Sequence, residues 1–172
     1  MDDEILDLVD RDDNVIGTIN RMDYDRMVAE NLGYLRAVHL FILNSRGQIF
    51  VPIRTADKTV APNGFDYSAG GHVGTGEDYM TSMLREAEEE LGIDISDKYL
   101  EPSAQGVLED IRYIHHTYIL RSDDTPRYNP KDFVSAEWLT PDELIRQIDD
   151  GHPAKSSLRP EVVRLKDYLD KQ

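Results

Sequence analysis

Apolar and polar positions recur along this chain with two different periods, and the changes of period mark its elements. Arg36–Leu43 (RAVHLFIL) and Gln48–Ile53 (QIFVPI) are apolar runs rich in branched and aromatic residues, which predicts strands. Asn44-Ser45-Arg46-Gly47 between them reads as a turn. Ile5–Val9 and Val15–Asn20, split by Arg11-Asp12-Asp13-Asn14, predict a small hairpin over residues 5–20. Tyr24–Leu32 reads as a helix ended by Gly33, and Tyr67–Ala69 as a short strand feeding a glycine turn at Gly70-Gly71. A helix follows from Asp78 to Leu91, with Gly92 as its C-terminal stop. Ser103–Leu108 and Arg112–Leu120 predict another strand pair, and Ala136–Leu139 a short strand. Thr140 caps a helix beginning at Pro141, with Glu143 placed as in a capping box, and Ser157–Leu169 predicts a terminal helix. Arg54–Asp66 and Arg121–Pro130 read as loops. Strands and hairpins mixed with three or four helices imply an α+β fold, a mixed sheet covered by helices.

The 78–91 helix has two distinct faces. At about 100° per residue, Glu86, Glu89 and Glu90 fall within an arc of roughly 100°. Met80, Met83, Leu84, Ala87 and Leu91 form an apolar arc centred about 120° away. Like charges at this spacing cost a bare helix a few tenths of a kcal/mol per pair, roughly, so something must offset them. A bound cation is the direct candidate and Arg85 a partial one. Glu88 points off this face and reads as solvated. A run of acids alone is more often a solvated surface.

Composition narrows the function. The chain has 172 residues, 40% of them hydrophobic, which suits one domain with a sizeable core. With 34 acidic against 19 basic residues its net charge is −15. Such a surface repels nucleic-acid backbones, and an anionic substrate would need local cations. There is no cysteine, hence no disulfide, thiol nucleophile or zinc–thiolate site. No apolar run approaches membrane-spanning length, and the acidic start MDDEILDLVD is unlike a signal peptide. A cytoplasmic protein without nucleic-acid or membrane partners is expected.

The segment from Gly71 to Ile93 carries the chemistry. Gly71, Glu77, Arg85, Glu86, Ala87, Glu89, Glu90, Gly92 and Ile93 meet every specified position of the pattern G-x5-E-x7-R-E-U-x-E-E-x-G-U, where U is a bulky apolar or alanine-like residue. It resembles the Nudix box. The resemblance implies an α/β/α sandwich with a central mixed sheet, in a single Nudix domain over 1–172, the box being 71–93. It implies that Glu86, Glu89 and Glu90, with the Gly71 carbonyl, ligate Mg²⁺ or Mn²⁺. One of these carboxylates, or another glutamate from a loop, would act as general base. Arg85 and Glu77 would form an orienting ion pair, and Gly92 would end the helix. Magnesium prefers hard oxygen ligands, neutralises phosphate charge and lowers the pKa of a bound water, so the set suits hydrolysis of a diphosphate.

The likeness extends outward through Arg54-x3-Lys58, Pro62-Asn63-Gly64-Phe65-Asp66, Ser68-Ala69-Gly70-Gly71-His72-Val73 and Glu137-Trp138-Leu139-Thr140-Pro141. These resemble the branch containing isopentenyl-diphosphate isomerases and their hydrolase-like relatives. The isomerases use a cysteine where this chain has Gly70, and alignment puts Leu35, Tyr113 and His115 at three of their metal-ligand positions, leaving only His72. Hydrolysis of a nucleoside di- or triphosphate, or of another nucleoside diphosphate derivative, is therefore preferred. Isomerisation and a non-catalytic Nudix-fold binding module are the alternatives, the latter opposed by the intact set of acids. Arg54, Lys58 and His72 are candidate substrate contacts, against surface ion pairs for the first two and a loop-stabilising bond for His72. Glu109 or Asp110 could add a ligand or base. Of His115 and His116, one is expected in the core and one in solvent. Tyr113 and Phe133 are weak candidates for stacking a base, and Trp138 reads as core.

Overall fold

The structure, a computed structural model, describes residues 4–172. Two strands, β1 (Ile5–Val9) and β2 (Val15–Asn20), form the predicted antiparallel hairpin, and a short helix α1 (Tyr24–Ala29) follows. The main sheet contains β3 (Leu35–Leu43), β4 (Ile49–Arg54), β5 (Ala69–His72), β6 (Glu101–Leu108), β7 (Tyr113–Arg121) and β8 (Phe133–Leu139). Its order is β6-β7-β3-β4-β8, with β5 also paired to β3. β3 and β7 run parallel, from Leu35 opposite Tyr113 to Leu43 opposite Arg121, and the other pairs are antiparallel. The sheet is thus mixed, as expected.

Helices cover both faces. β3 sends alternate side chains to opposite sides, so each face gets its own core. Val38, Leu40 and Ile42 meet Met83, Ala87 and Leu91 of α2 (Tyr79–Leu91). Phe41 and Leu43 meet Leu144 of α3 (Pro141–Asp149) and Leu158, Val162 and Leu165 of α4 (Leu158–Leu169). This is an α/β/α sandwich. Met80 departs from the apolar arc of α2 and stays exposed.

Element ends follow local chemistry. Asp78 caps α2 by accepting from the Thr81 amide at 2.7 Å. Gly92 closes the helix in the left-handed region at φ +63°. The capping box at Thr140 and Glu143 is present in both directions. Most boundaries shift by a residue, and the larger departures have local causes. α1 ends at Ala29 instead of Leu32, because Asn31 turns to φ +55° before Gly33. β6 starts at Glu101 and β8 at Phe133, both recruited by pairing with neighbouring strands. The expected glycine turn at Gly70-Gly71 is instead the middle of β5, opposite His39 and Val38. The turn comes later, through Gly76 at φ +75°.

The N-terminal hairpin braces that later turn. Leu6 bridges Gly74, Thr75 Oγ1 donates to the Ile5 carbonyl at 2.8 Å, and the Gly76 amide donates to Asp7 Oδ2 at 3.2 Å. Arg36 reaches back from β3 to Asp13 at 2.6 Å.

Removing the capping oxygen with Thr140→Ala should cost about 1 kcal/mol, a fall of roughly 2–4 °C in Tm for a chain of this size. Thr140→Ser should keep most of the stability. Thermal unfolding followed by circular dichroism measures both, and an unchanged Tm in the alanine variant would deny the cap a role.

Candidate active site

The site is built where strand β5 passes under helix α2, and two glycines make the approach possible. A Cβ on Gly71 would stand 2.2 Å from Glu86 Oε1, so the Glu86 carboxylate occupies the space a side chain would need. One residue earlier, the Gly70 amide donates to Glu90 Oε2 at 2.8 Å. The opposite side of Gly70 is equally tight: a Cβ there would lie 2.7 Å from the Val38 carbonyl oxygen. The strand therefore presents bare backbone to the acidic face of the helix.

Arg85 gathers most of the remaining groups. Its guanidinium donates to Glu77 Oε2 at 3.1 Å, to Glu86 Oε1 at 2.7 Å and to the His72 carbonyl at 3.0 Å, and Glu89 Oε2 lies at 3.4 Å. Burial opposes the Arg85 charge, but Glu77 and Glu86 outweigh it and hold the group firmly protonated. Glu77 also accepts from Ser82 Oγ at 2.5 Å and from the Gly74 amide at 3.1 Å. The Arg85 hydrogen bond, with these two, brings its pKa down to about 2.

The three box acids sit at different depths. The Glu89 side chain is 59% exposed and that of Glu86 only 12%. Burial raises the Glu86 pKa, with Arg85 pulling the other way. Glu90 is more deeply desolvated, and burial followed by the nearby Asp66 carboxylate lifts its pKa far above the ordinary range. Glu88 is exposed, as its helical position implied.

Such desolvated hard oxygens fit a divalent cation, whose charge would relieve both acids. Gly71, having no side chain, leaves its own backbone open beside Glu86. In this arrangement Arg85 stands between Glu86 and Glu89. Among the described residues no three carboxylates or histidines gather so as to hold a metal as they stand.

The other candidates are dispersed. Arg54 pairs with buried Asp66 and donates to the Val60 carbonyl at 2.7 Å. Lys58 pairs with Asp132 at 2.6 Å. His72 lies on the strand leading from Gly71, its Nε2 2.9 Å from the Tyr113 hydroxyl and its Nδ1 3.3 Å from Glu4. Glu109 accepts from the Tyr34 hydroxyl and from Arg11, both at 2.8 Å, and Asp110 shares its 3-10 turn. Phe133 is 1% exposed, so it cannot present its ring to a base. Trp138 is partly buried and packs edge-on against Phe50 at the margin of the core. His115 is buried against Glu161, whereas His116 is half-buried and stacks on Tyr79 at 3.7 Å, so the expected solvent-facing histidine is instead covered by an aromatic ring. A groove of about 370 Å³ on β6 and β7, lined by Ser103, Gln105, His116 and Tyr118 among others, shares no residue with the box.

Three further residues had no role of their own in the sequence reading. Asp66 is a buried acid between Phe65 and Tyr67, and Lys155 reaches it at 3.0 Å. Asn129, from the 121–130 loop, donates its amide to the Glu90 carbonyl at 2.7 Å and its side chain to the Glu89 carbonyl at 3.3 Å, tethering the end of α2.

The two glycines should respond differently to a methyl group. In Gly71→Ala the clash is with the end of a flexible side chain, so Tm should fall by less than that of Gly70→Ala, which meets fixed backbone. Equal losses would contradict the packing described. Glu77 adds a pH test. Its folded pKa is depressed from 4.5 to about 2, so its stabilisation is complete above 4.5 and disappears as pH falls towards 2. The stability gap between the wild type and Glu77→Gln, read by urea unfolding, should therefore narrow between pH 5 and pH 3. A gap that widens on acidification would overturn the assignment.

Comparison with known proteins accords with this geometry. The NUDIX domain family matches residues 33–162. A Nudix hydrolase of Deinococcus radiodurans is 41% identical over 167 residues, covering 94% of this chain and 93% of that protein. The crystal structure of DR0079 from Deinococcus radiodurans aligns with a TM-score of 0.84 at 39% identity, covering 94% of this chain and 98% of that one. An isopentenyl-diphosphate Delta-isomerase of Photorhabdus laumondii is 33% identical over 135 residues, covering 75% of this chain and 74% of that protein. With an intact box on a mixed sheet between helices, this chain belongs to the Nudix family and is a hydrolase acting on pyrophosphate bonds.

Proposed function

We propose that the protein is a Mg²⁺- or Mn²⁺-dependent hydrolase that cleaves the diphosphate linkage of a nucleoside di- or triphosphate, or of a related nucleoside diphosphate derivative. The observation that carries this reading is the intact acidic face of α2 laid over bare backbone at Gly70-Gly71. Glu86, Glu89 and Glu90, with the Gly71 carbonyl, would hold the cation. A cation there neutralises phosphate charge and makes a water easier to deprotonate.

The chain's own residues do the rest. Arg85 and Glu77 fix the strand end, the loop and the helix in one register, so the acids approach the substrate preorganised. A box carboxylate, or another glutamate from a loop, would take the proton as the water oxygen bonds to phosphorus, while the bridging P–O bond breaks and its oxygen leaves with the departing phosphate. Arg54, Lys58 and His72 remain the candidate substrate contacts outside the box. Their partners Asp66, Asp132 and Tyr113 would orient them or yield to an incoming phosphate. The working unit is the whole chain, 1–172, since the hairpin outside the family match braces the box turn; residues 1–3 lie outside the described ones. We take a cytoplasmic setting as the natural one for such a substrate; no helix among the described residues is long and apolar enough to cross a membrane.

The isomerase relative favours a second reading, isomerisation of a prenyl diphosphate. Against it stand the absence of cysteine and the filled space beside Gly70, where a side chain would meet the Val38 carbonyl.

A panel of nucleotides, dinucleotides, sugar nucleotides and isopentenyl diphosphate, assayed with Mg²⁺ for released phosphate or nucleotide, separates the readings. Turnover of a nucleotide substrate that stops on chelation is expected. Glu89→Gln and Glu90→Gln should each lower kcat at least ~100-fold, and Gly71→Ala should lower it by displacing Glu86. Full turnover in both glutamine variants would sink the metal assignment, and formation of the prenyl isomer would favour the other reaction.

A further inference from the structure

We propose that His39 is a positioning residue for the Glu90 carboxylate, acting through the backbone of Gly70; the inference rests on the metal-dependent hydrolase reading above. Among the described residues, the Glu90 carboxylate accepts one hydrogen bond, from the Gly70 amide at 2.8 Å. The place of that amide therefore sets where the carboxylate points. Strand β5 has little of its own to hold the amide still. It is four residues long, it pairs with β3 alone, and two of its residues are glycines with no side chain to pack.

The His39 ring supplies the support. His39 lies opposite Gly70 in the ladder between β3 and β5. The three atoms nearest to a Cβ on Gly70 would be the Val38 carbonyl oxygen, His39 Cδ2 at 3.2 Å and His39 Cα. The imidazole is the one side chain among them, and it fills the space beside the glycine. Other rings keep it there. Tyr67 stacks on it at 3.8 Å with the planes 3° apart, and the Tyr67 hydroxyl lies 3.0 Å from Ser157 Oγ at the start of α4. The His115 ring stands 5.7 Å away, its Nδ1 3.2 Å from Thr117 Oγ1 and its Nε2 3.6 Å from Glu161. The C-terminal helix thus props the box strand through Tyr67 and His39. A single atom indicates that the ring is kept for its shape. His39 is 7% exposed, and its Nδ1 is buried with no hydrogen-bond partner. An unpaired polar atom in the interior calls for a reason. No bond to Nδ1 provides one, whereas the stack on Tyr67 and the contact with Gly70 do. Close-packed interiors transmit displacement, so loss of the ring would shift Gly70 and with it Glu90.

The test uses His39→Ala, which removes the ring, and His39→Phe, which keeps a flat ring for Tyr67 and drops the unpaired nitrogen. In the metal-free full chain, amide hydrogen exchange followed by NMR should be about tenfold faster at Gly70 in the alanine variant, with the amides of α3 unchanged. Mn²⁺ affinity, read by electron paramagnetic resonance, should weaken roughly tenfold, as when the support of a metal ligand is lost. For a nucleotide that the wild type hydrolyses, kcat should fall by a similar factor with KM within about twofold. Phenylalanine should restore each value to within about threefold of the wild type. Wild-type Gly70 exchange and Mn²⁺ affinity in the alanine variant overturn the proposal. So does faster exchange of all amides together, which marks a loss of stability alone. A phenylalanine variant as impaired as the alanine one also overturns it, because the nitrogen and not the ring would then be at work. If the alanine variant does not fold, His39→Leu, which fills the space without a flat ring, is read by the same criteria. A wild type that hydrolyses nothing on the panel defeats the hydrolase reading, and the exchange and Mn²⁺ measurements still decide the role of His39. A wild type that binds no Mn²⁺ defeats both.

Discussion

The Arg85 guanidinium is the interaction on which the site depends. Three elements end at it: the His72 carbonyl from β5, Glu77 from the following turn, and Glu86 and Glu89 from α2. Without a cation at that point, the acids on one helical face would repel one another and the turn would lose its anchor. Lysine could not replace it, because a single ammonium cannot fan planar donors towards three elements at once. Glu77, held by Arg85, Ser82 and the Gly74 amide, carries this order back into the turn that the N-terminal hairpin supports from the other side.

Much of the fold was legible because its signals are local. The hairpin bounds, the Thr140 cap and the Gly92 stop each depend on a few adjacent residues, and each was found where the pattern placed it. The misreadings are equally physical. Glycines have no side chain to show a period of two, so Gly70-Gly71 looked like a turn although it lies in a strand. The first residues of β6 and β8 are extended by their partners, and no local propensity announces that. Nor does periodicity reveal that β3 lies parallel to β7.

Site residues divide in the same way. The box positions lie within 23 consecutive residues, so their spacing could be read directly. Asn129 reaches the end of α2, and Lys155 reaches Asp66, from distant parts of the chain, and no spacing links either to its partner. One clue to Asp66 was present: an acid between two aromatics, Phe65 and Tyr67, is an expensive thing to bury without partners. Lys58 shows the converse, its partner Asp132 lying far along the chain, so sequence alone could not tell a phosphate contact from an ion pair.

The parallel pairing of β3 with β7 has a kinetic consequence. Helix α2 is part of the long crossover joining those strands, so the box sits inside the loop that this pairing must close. On the ribosome, β3, β5 and α2 emerge before the strand that completes their sheet. Until residues 113–121 dock, β3 lacks one of its neighbours. Non-local closure of this kind is slow compared with helix formation. The acidic helix can therefore form before its sheet is complete, so a nascent chain that ends before residue 113 carries the whole motif on a sheet still lacking β7.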